Sequence, residues 1–127
     1  MSVNKVIILG RVGADPEVKY MPNGTAVAQL SLATNRKAKN KESGELQEQT
    51  EWHRVIFYDK RAEVIGQYVK KGQELYAEGR LQTRKWQDKD GNDKYTTEII
   101  AYDFSFVGSK SSSNENDFQN QNKTDDQ

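Results

Sequence analysis

Between Ala26 and Thr34 the chain alternates with period two. Ala26, Ala28, Leu30 and Leu32 share one face, and Val27, Gln29, Ser31 and Ala33 share the other, the pattern of a half-buried strand. Asn4 to Val12, rich in Val, Ile and Leu, predicts a strand buried over much of its length and broken by Gly13-Ala14-Asp15-Pro16. Val18 to Met21 is a short extended stretch, and Pro22-Asn23-Gly24 a hairpin-type turn. Asn35 to Gln49 is dense in Lys and Glu and contains Ser43-Gly44, which predicts a mobile loop. Glu51 to Tyr58, Glu74 to Trp86 and Tyr95 to Val107 predict three further strands, the last two joined by a turn at Asp88-Lys89-Asp90-Gly91-Asn92. Between the first two, Ala62, Ile65, Tyr68 and Val69 recur at helical spacing within Lys60–Lys71. The expected helix has Asp59 as carboxylate N-cap, Lys70 and Lys71 in its last turn and Gly72 as its stop.

With residues 18–34 counted as one broken strand, the order is three strands, a helix, two strands. A helix between the third and fourth strands of a five-stranded Greek-key barrel is the OB arrangement, an all-β class. Runs of short strands with one central helix occur in other folds too. From Gly108 onward Ser, Asn, Gln and Asp dominate. The expected organisation is therefore a folded domain over residues 1–108 and a disordered polar, acidic tail over 109–127.

Charge refines this picture. The 127-residue chain carries 19 Lys+Arg and 19 Asp+Glu. Residues 1–108 hold 17 cations against 15 acids, and residues 109–127 hold 2 against 4. A slightly basic domain with an acidic tail differs from a neutral globule. The absence of cysteine removes disulfides, thiolate metal sites and thiol nucleophiles. The N-terminal Met-Ser-Val-Asn-Lys-Val lacks the form of a signal peptide, and the apolar run Val6–Leu9 is too short to span a bilayer. The expectation is a cytoplasmic, nucleoid-associated protein with no membrane contact.

Strand alternation selects the candidate chemistry. Trp52, Arg54, Ile56 and Tyr58 point one way, Val55 and Phe57 the other. Arg80, Gln82, Arg84 and Trp86 share a face opposite Leu75, Ala77, Gly79 and Leu81. A core cannot readily accept rings mixed with guanidinium groups, whereas bases and phosphates suit them. Trp52, Tyr58 and Trp86 are the stacking candidates, with indoles expected on two neighbouring strands. Lys5, Arg11, Arg54, Lys60, Lys70, Lys71, Arg84 and Lys85 are the phosphate candidates, and Arg54, Arg84 and Lys85 flank the tryptophans. The bland alternatives are barrel or interface aromatics and solvated surface cations. His53, the only histidine, faces away from Trp52 and reads as an interface or packing residue. No second histidine or ordered acid pair stands beside it, so no catalytic residue, metal or cofactor is expected. Asp88, Asp90 and Asp93 do not sustain the spacing of a calcium loop and read as turn residues.

Several blocks also resemble a known family. Asn4-Lys5-Val6-Ile7, Asp15-Pro16-Glu17-Val18, Tyr20-Met21-Pro22-Asn23-Gly24, Gln49-Thr50-Glu51-Trp52-His53-Arg54-Val55, Tyr76-Ala77-Glu78-Gly79 and Thr83-Arg84-Lys85-Trp86 are similar to the bacterial single-stranded DNA-binding proteins. They run in the family's order over roughly residues 3–107. The resemblance implies an OB-fold homotetramer that wraps single-stranded DNA in replication, repair and recombination, with Tyr76 and Glu78 as candidate interface residues beside His53. Two departures stand out. Where relatives carry a loop aromatic, this chain has Ala38 among Lys37, Lys39 and Lys41. The tail ends Thr124-Asp125-Asp126-Gln127 without the family's Ile-Pro-Phe tip, which puts recruitment of replication and repair proteins through that tail in question. The competing readings are a dimeric primosome-type OB accessory protein, an RNA-binding OB module and, as an enzyme, an OB-type nuclease. The nuclease would need clustered carboxylates, and the acids here are scattered among lysines.

Overall fold

The strand β1 (Val6–Val12) pairs antiparallel with two partners at once, and that double pairing closes the sheet into a barrel. The computed structural model describes residues 1–107; the expected tail over 109–127 lies outside the described residues. The remaining elements are β2 (Glu17–Tyr20), β3 (Ala26–Lys39), β4 (Leu46–Tyr58), α1 (Asp59–Tyr68), β5 (Glu74–Gln87) and β6 (Asp93–Val107). Neighbours run β1-β5-β6-β4-β3-β2, with β1 also joined to β3. Five strands thus form the closed barrel, β2 is appended to β3, and α1 lies between the third and fourth barrel strands. This is the OB-fold expected from the order of elements.

The alternating face of β3 fills the interior as its period requires. Ala28, Leu30, Leu32, Val55, Phe57, Leu75, Ala77 and Ile99 are buried, and Ala62, Ile65 and Val69 close one end. Phe57 meets Phe104 edge-to-face, with ring centroids 5.6 Å apart. Full burial of a side chain of this size is worth about 1.5–3 kcal/mol. The register between β5 and β6 slips at Glu78/Gly79, where Glu78 faces Asp103 and Gly79 faces Ala101. Tyr102 is the extra residue of this bulge. The strands come so close there that a Cβ on Gly79 would lie 2.2 Å from the Ile100 carbonyl oxygen.

Several expectations are corrected. β1 is buried on one face only: Ile7 and Leu9 are 56% and 53% exposed, because a barrel strand has an outside as well as an inside. It begins at Val6, and Asn4 continues the ladder with its side chain, which donates to the Leu81 carbonyl and accepts from the Leu81 N–H. The stretch 18–34 is two strands; the turn expected between them holds Gly24 N–H to the Met21 carbonyl at 2.8 Å. The expected loop 35–49 is mostly strand. Lys39 pairs with Leu46 and Lys37 with Glu48, so β3 and β4 continue as a two-stranded ribbon whose polar residues are exposed on both faces. Beyond Gly79, β5 pairs with β6 alone as a second ribbon. Leu81, which shares the face of Leu75 and Ala77 by alternation, is therefore exposed.

The helix also differs at both ends. It starts at Asp59, which has φ 61°, and Tyr58 occupies the N-cap with no side-chain hydrogen bond. Asp59 thus contributes a left-handed backbone, which Asp tolerates better than most residues, and no carboxylate cap. The helix stops at Tyr68 with no cation in its last turn. Lys70, Lys71 and Gly72 form the connection that follows, pinned by Gly72 N–H to the Val12 carbonyl.

Candidate nucleic-acid interface

Ala33 lies opposite Trp52 and Ser31 opposite Arg54 across β3 and β4. Ile56 lies beside Ile100 in the short parallel pairing of β4 with β6. Across β5 and β6, Gln82 faces Glu98, Arg84 faces Thr96 and Trp86 faces Lys94. Period-two alternation puts all these side chains on the outside of the barrel. The two sets separated by parity in the sequence therefore share one continuous outer surface. The two indoles, however, are not on neighbouring strands: β6 runs between β4 and β5. Ile56 is on this surface yet buried, so the surface has an apolar floor.

Both indoles are open, Trp52 at 59% and Trp86 at 43% exposure. Neither is loose. The Trp86 indole N–H donates to the Thr96 hydroxyl at 2.8 Å, which holds the ring across the β5–β6 ribbon. The Trp52 ring extends the other way, across β3, to cover Gly13. A Cβ on Gly13 would sit 2.4 Å from Trp52 Cζ3. Gly13 therefore does more than break a strand: its missing side chain is the seat of the ring. Rings pre-set in this way stack bases at low entropic cost, and each stacked base contributes about 1–3 kcal/mol.

The cations divide into groups. Arg84 Nε approaches both Glu98 oxygens at 3.3 Å, and Arg54 Nη1 lies 3.9 Å from Glu98 Oε2. Glu98 is itself 6% exposed. Lys85 pairs with Asp93 at 3.4 Å at the edge of the second ribbon. Lys60 is exposed at the start of α1. Lys70 and Lys71 are held by their backbones, with Lys71 N–H donating to Asp15 Oδ1. Arg11 is committed elsewhere: it donates to the Gly72 carbonyl at 2.7 Å and approaches Glu74 at 3.7 Å.

Lys5 belongs to a different constellation. It contacts Glu78 at 2.8 Å, and the Tyr76 hydroxyl donates to Glu78 Oε1 at 2.9 Å. The Lys5 hydrogen bond, then that of Tyr76, holds the Glu78 carboxyl below the usual carboxylate range. Bonding to Glu78 in turn raises the Lys5 ammonium and the Tyr76 phenol. Ile7 and Leu9 stand beside this trio, opposite Glu78 and Tyr76. His53 is elsewhere, half-buried and bonded through Nε2 to the Thr34 hydroxyl at 2.8 Å. Tyr58 is half-buried where β4 enters the helix, opposite Val27.

Reading by residue type missed Glu98, Gly13 and Thr96, whose roles come from their neighbours. It also missed that Lys37 and Lys39 continue the Trp52 face along the first ribbon; alternation from Ala33 carries that signal once the segment is read as strand. The Asp88 turn is as expected: Asp88 Oδ1 accepts from the Asp90 and Asn92 N–H groups.

Residues 3–107 match the single-strand binding protein family. The chain belongs to that family. Among solved structures, one described as a Plasmodium falciparum SSB complex with ssDNA is 38% identical, with a TM-score of 0.78 over 85% of this chain and 97% of that one. Single-strand binding proteins are thus similar to this chain in sequence and in barrel architecture. Among the described residues no helix is long and apolar enough to cross a membrane, and no three His, Cys, Asp or Glu residues are grouped to hold a metal ion.

Proposed function

We propose that this chain binds single-stranded DNA without regard to sequence, in replication, repair and recombination. The observation that carries the reading is the outer surface on which two open, anchored indoles, Trp52 and Trp86, flank the guanidinium groups of Arg54 and Arg84. Every base has a π-face, so rings select for unstacked bases rather than for a sequence, while cations hold the backbone. Lys60, Lys37 and Lys39 lengthen the cationic track, and Tyr58 lies at its helical end, whereas Lys85 alternates onto the other face of the second ribbon with Tyr95. Binding makes and breaks no bond, so the protein needs no catalytic group.

The working assembly is a homotetramer. Its support is the exposed apolar pair Ile7 and Leu9 beside the Lys5–Glu78–Tyr76 trio, a surface whose core is apolar and whose polar groups already hold one another in place. Sedimentation should give four copies per particle; a stable dimer would favour the primosome-type reading. Titration with oligo-dT should quench tryptophan fluorescence strongly. Trp52→Ala combined with Trp86→Ala should abolish the quench and weaken binding in proportion to the lost stacking. Equal affinity for duplex and single strand would refute the reading, and preference for matched RNA would redirect it to an RNA-binding module.

A further inference from the structure

Glu98 is the only buried acid among the described residues, and it lies in the middle of a surface whose proposed ligand is a polyanion. A carboxylate there works against phosphate. It is also not a lone charge. Arg84 reaches both its oxygens through Nε at 3.3 Å, Arg54 lies 3.9 Å away, and the two arginines are 50% and 42% exposed. Two exposed guanidinium groups thus share one sheltered anion. The group carries a net charge of +1, where the arginines alone would carry +2. Their remaining N–H donors have no other partner among the described residues.

This arrangement has a consequence for ligand choice. A duplex offers phosphates but keeps its bases stacked, so cations alone can hold it. A single strand offers phosphates and free rings, so the indoles contribute as well. Lowering the cationic strength of the surface costs a duplex more than a single strand, because each phosphate contact carries a log–log salt slope of about 0.9 on duplex and about 0.7 on single strand. We propose that Glu98 is a specificity-determining residue: by occupying Arg54 and Arg84 it restrains attraction to phosphate, so that stable binding needs base stacking and duplex DNA is disfavoured. The inference rests on the single-strand reading above.

The test is Glu98→Gln, which keeps the size of the side chain and removes its charge. Thermal melting first shows that it is folded. Affinity for a labelled blunt duplex and for oligo-dT of equal length is then measured across salt. Restoring one effective phosphate contact should steepen the log–log salt slope by about 0.9 for duplex and about 0.7 for single strand. Between about 50 and 200 mM salt the duplex affinity ratio should then widen by about 3.5-fold. The preference for oligo-dT over duplex should shrink. Unchanged slopes, or a proportional loss of both affinities, would show Glu98 to be a prop for the arginines and overturn the inference. If Glu98→Gln does not fold, the charge-matched pair Glu98→Gln with Arg84→Gln replaces it. It should keep the native slope, and a slope shallower by about 0.7 would overturn the inference. Failure of the native chain to prefer oligo-dT would sink the single-strand reading itself; a native preference with an unaltered variant would sink only the role of Glu98.

Discussion

Replacing Gly13 with alanine should damage the proposed ligand surface while sparing the barrel. The new methyl carbon would lie 2.4 Å from Trp52 Cζ3 and 2.9 Å from Cη2. Carbon atoms rest at about 3.5–4.0 Å, so the ring must retreat by at least about 1 Å. It has room to do so, because it is more than half exposed and its clash is with a side chain rather than with backbone. The cost to folding should therefore stay below about 1 kcal/mol, within the range of a mild surface change. The ring, however, loses its seat. A base stacked on it contributes about 1–3 kcal/mol, and forfeiting about 1 kcal/mol of that would weaken oligo-dT binding about fivefold. Thermal melting and tryptophan-quench titration read the two effects separately. The double variant Gly13→Ala with Trp52→Ala should bind like Trp52→Ala alone, since the methyl then has nothing to displace. A loss of several kcal/mol in stability with unchanged affinity per folded molecule would refute the reasoning.

Gly79→Ala should do the reverse. Its methyl would meet backbone atoms of β6, Ile100 O at 2.2 Å and Ala101 Cα at 2.8 Å, so denaturant melts should show a loss of about 3 kcal/mol or more. Glu78 should titrate below an ordinary glutamate in an NMR pH series. A depressed carboxyl stabilises the fold above its unfolded pKa, and this support is lost as pH falls through the lower folded value. Tyr76→Phe removes one of its two hydrogen bonds, so the Glu78 midpoint should move back toward the usual range; an unmoved midpoint would leave Lys5 as its sole cause.

Period two was legible wherever one face of a strand meets the core. It placed Ala28, Leu30, Val55, Phe57 and Leu75 inside and Trp52, Arg54, Arg84 and Trp86 outside, and so it found the main part of the candidate surface. It failed where a strand has no core to face. Residues 35–39 and 46–50 are polar on both sides because they pair only with each other, so nothing in their pattern separates ribbon from loop. Leu81 shows the converse: its parity is that of Leu75 and Ala77, but the barrel ends before it. Lys5 and Arg11 are cations whose partners, Glu78 and the Gly72 carbonyl, are distant in sequence, and residue type alone gives no sign of that commitment. Glu98 sits in a run, Thr97-Glu98-Ile99-Ile100, that presents it as an ordinary outward acid. Only the packing of Arg54 and Arg84 around it reveals its burial.

The double pairing of β1 also fixes an order of events during synthesis. The first strand to leave the ribosome finds one partner in β3, at Arg11–Ala33, but its main partner is β5, from Val6–Gly79 to Arg11–Glu74. The seam between β5 and β4 is filled only when β6 arrives, with Ile99 and Ile100 against Val55 and Ile56. Joining ends so far apart in the chain is slow. Until translation has passed residue 100, β1 has no completed barrel to join, and its unpaired edge is open to wrong pairings for that interval.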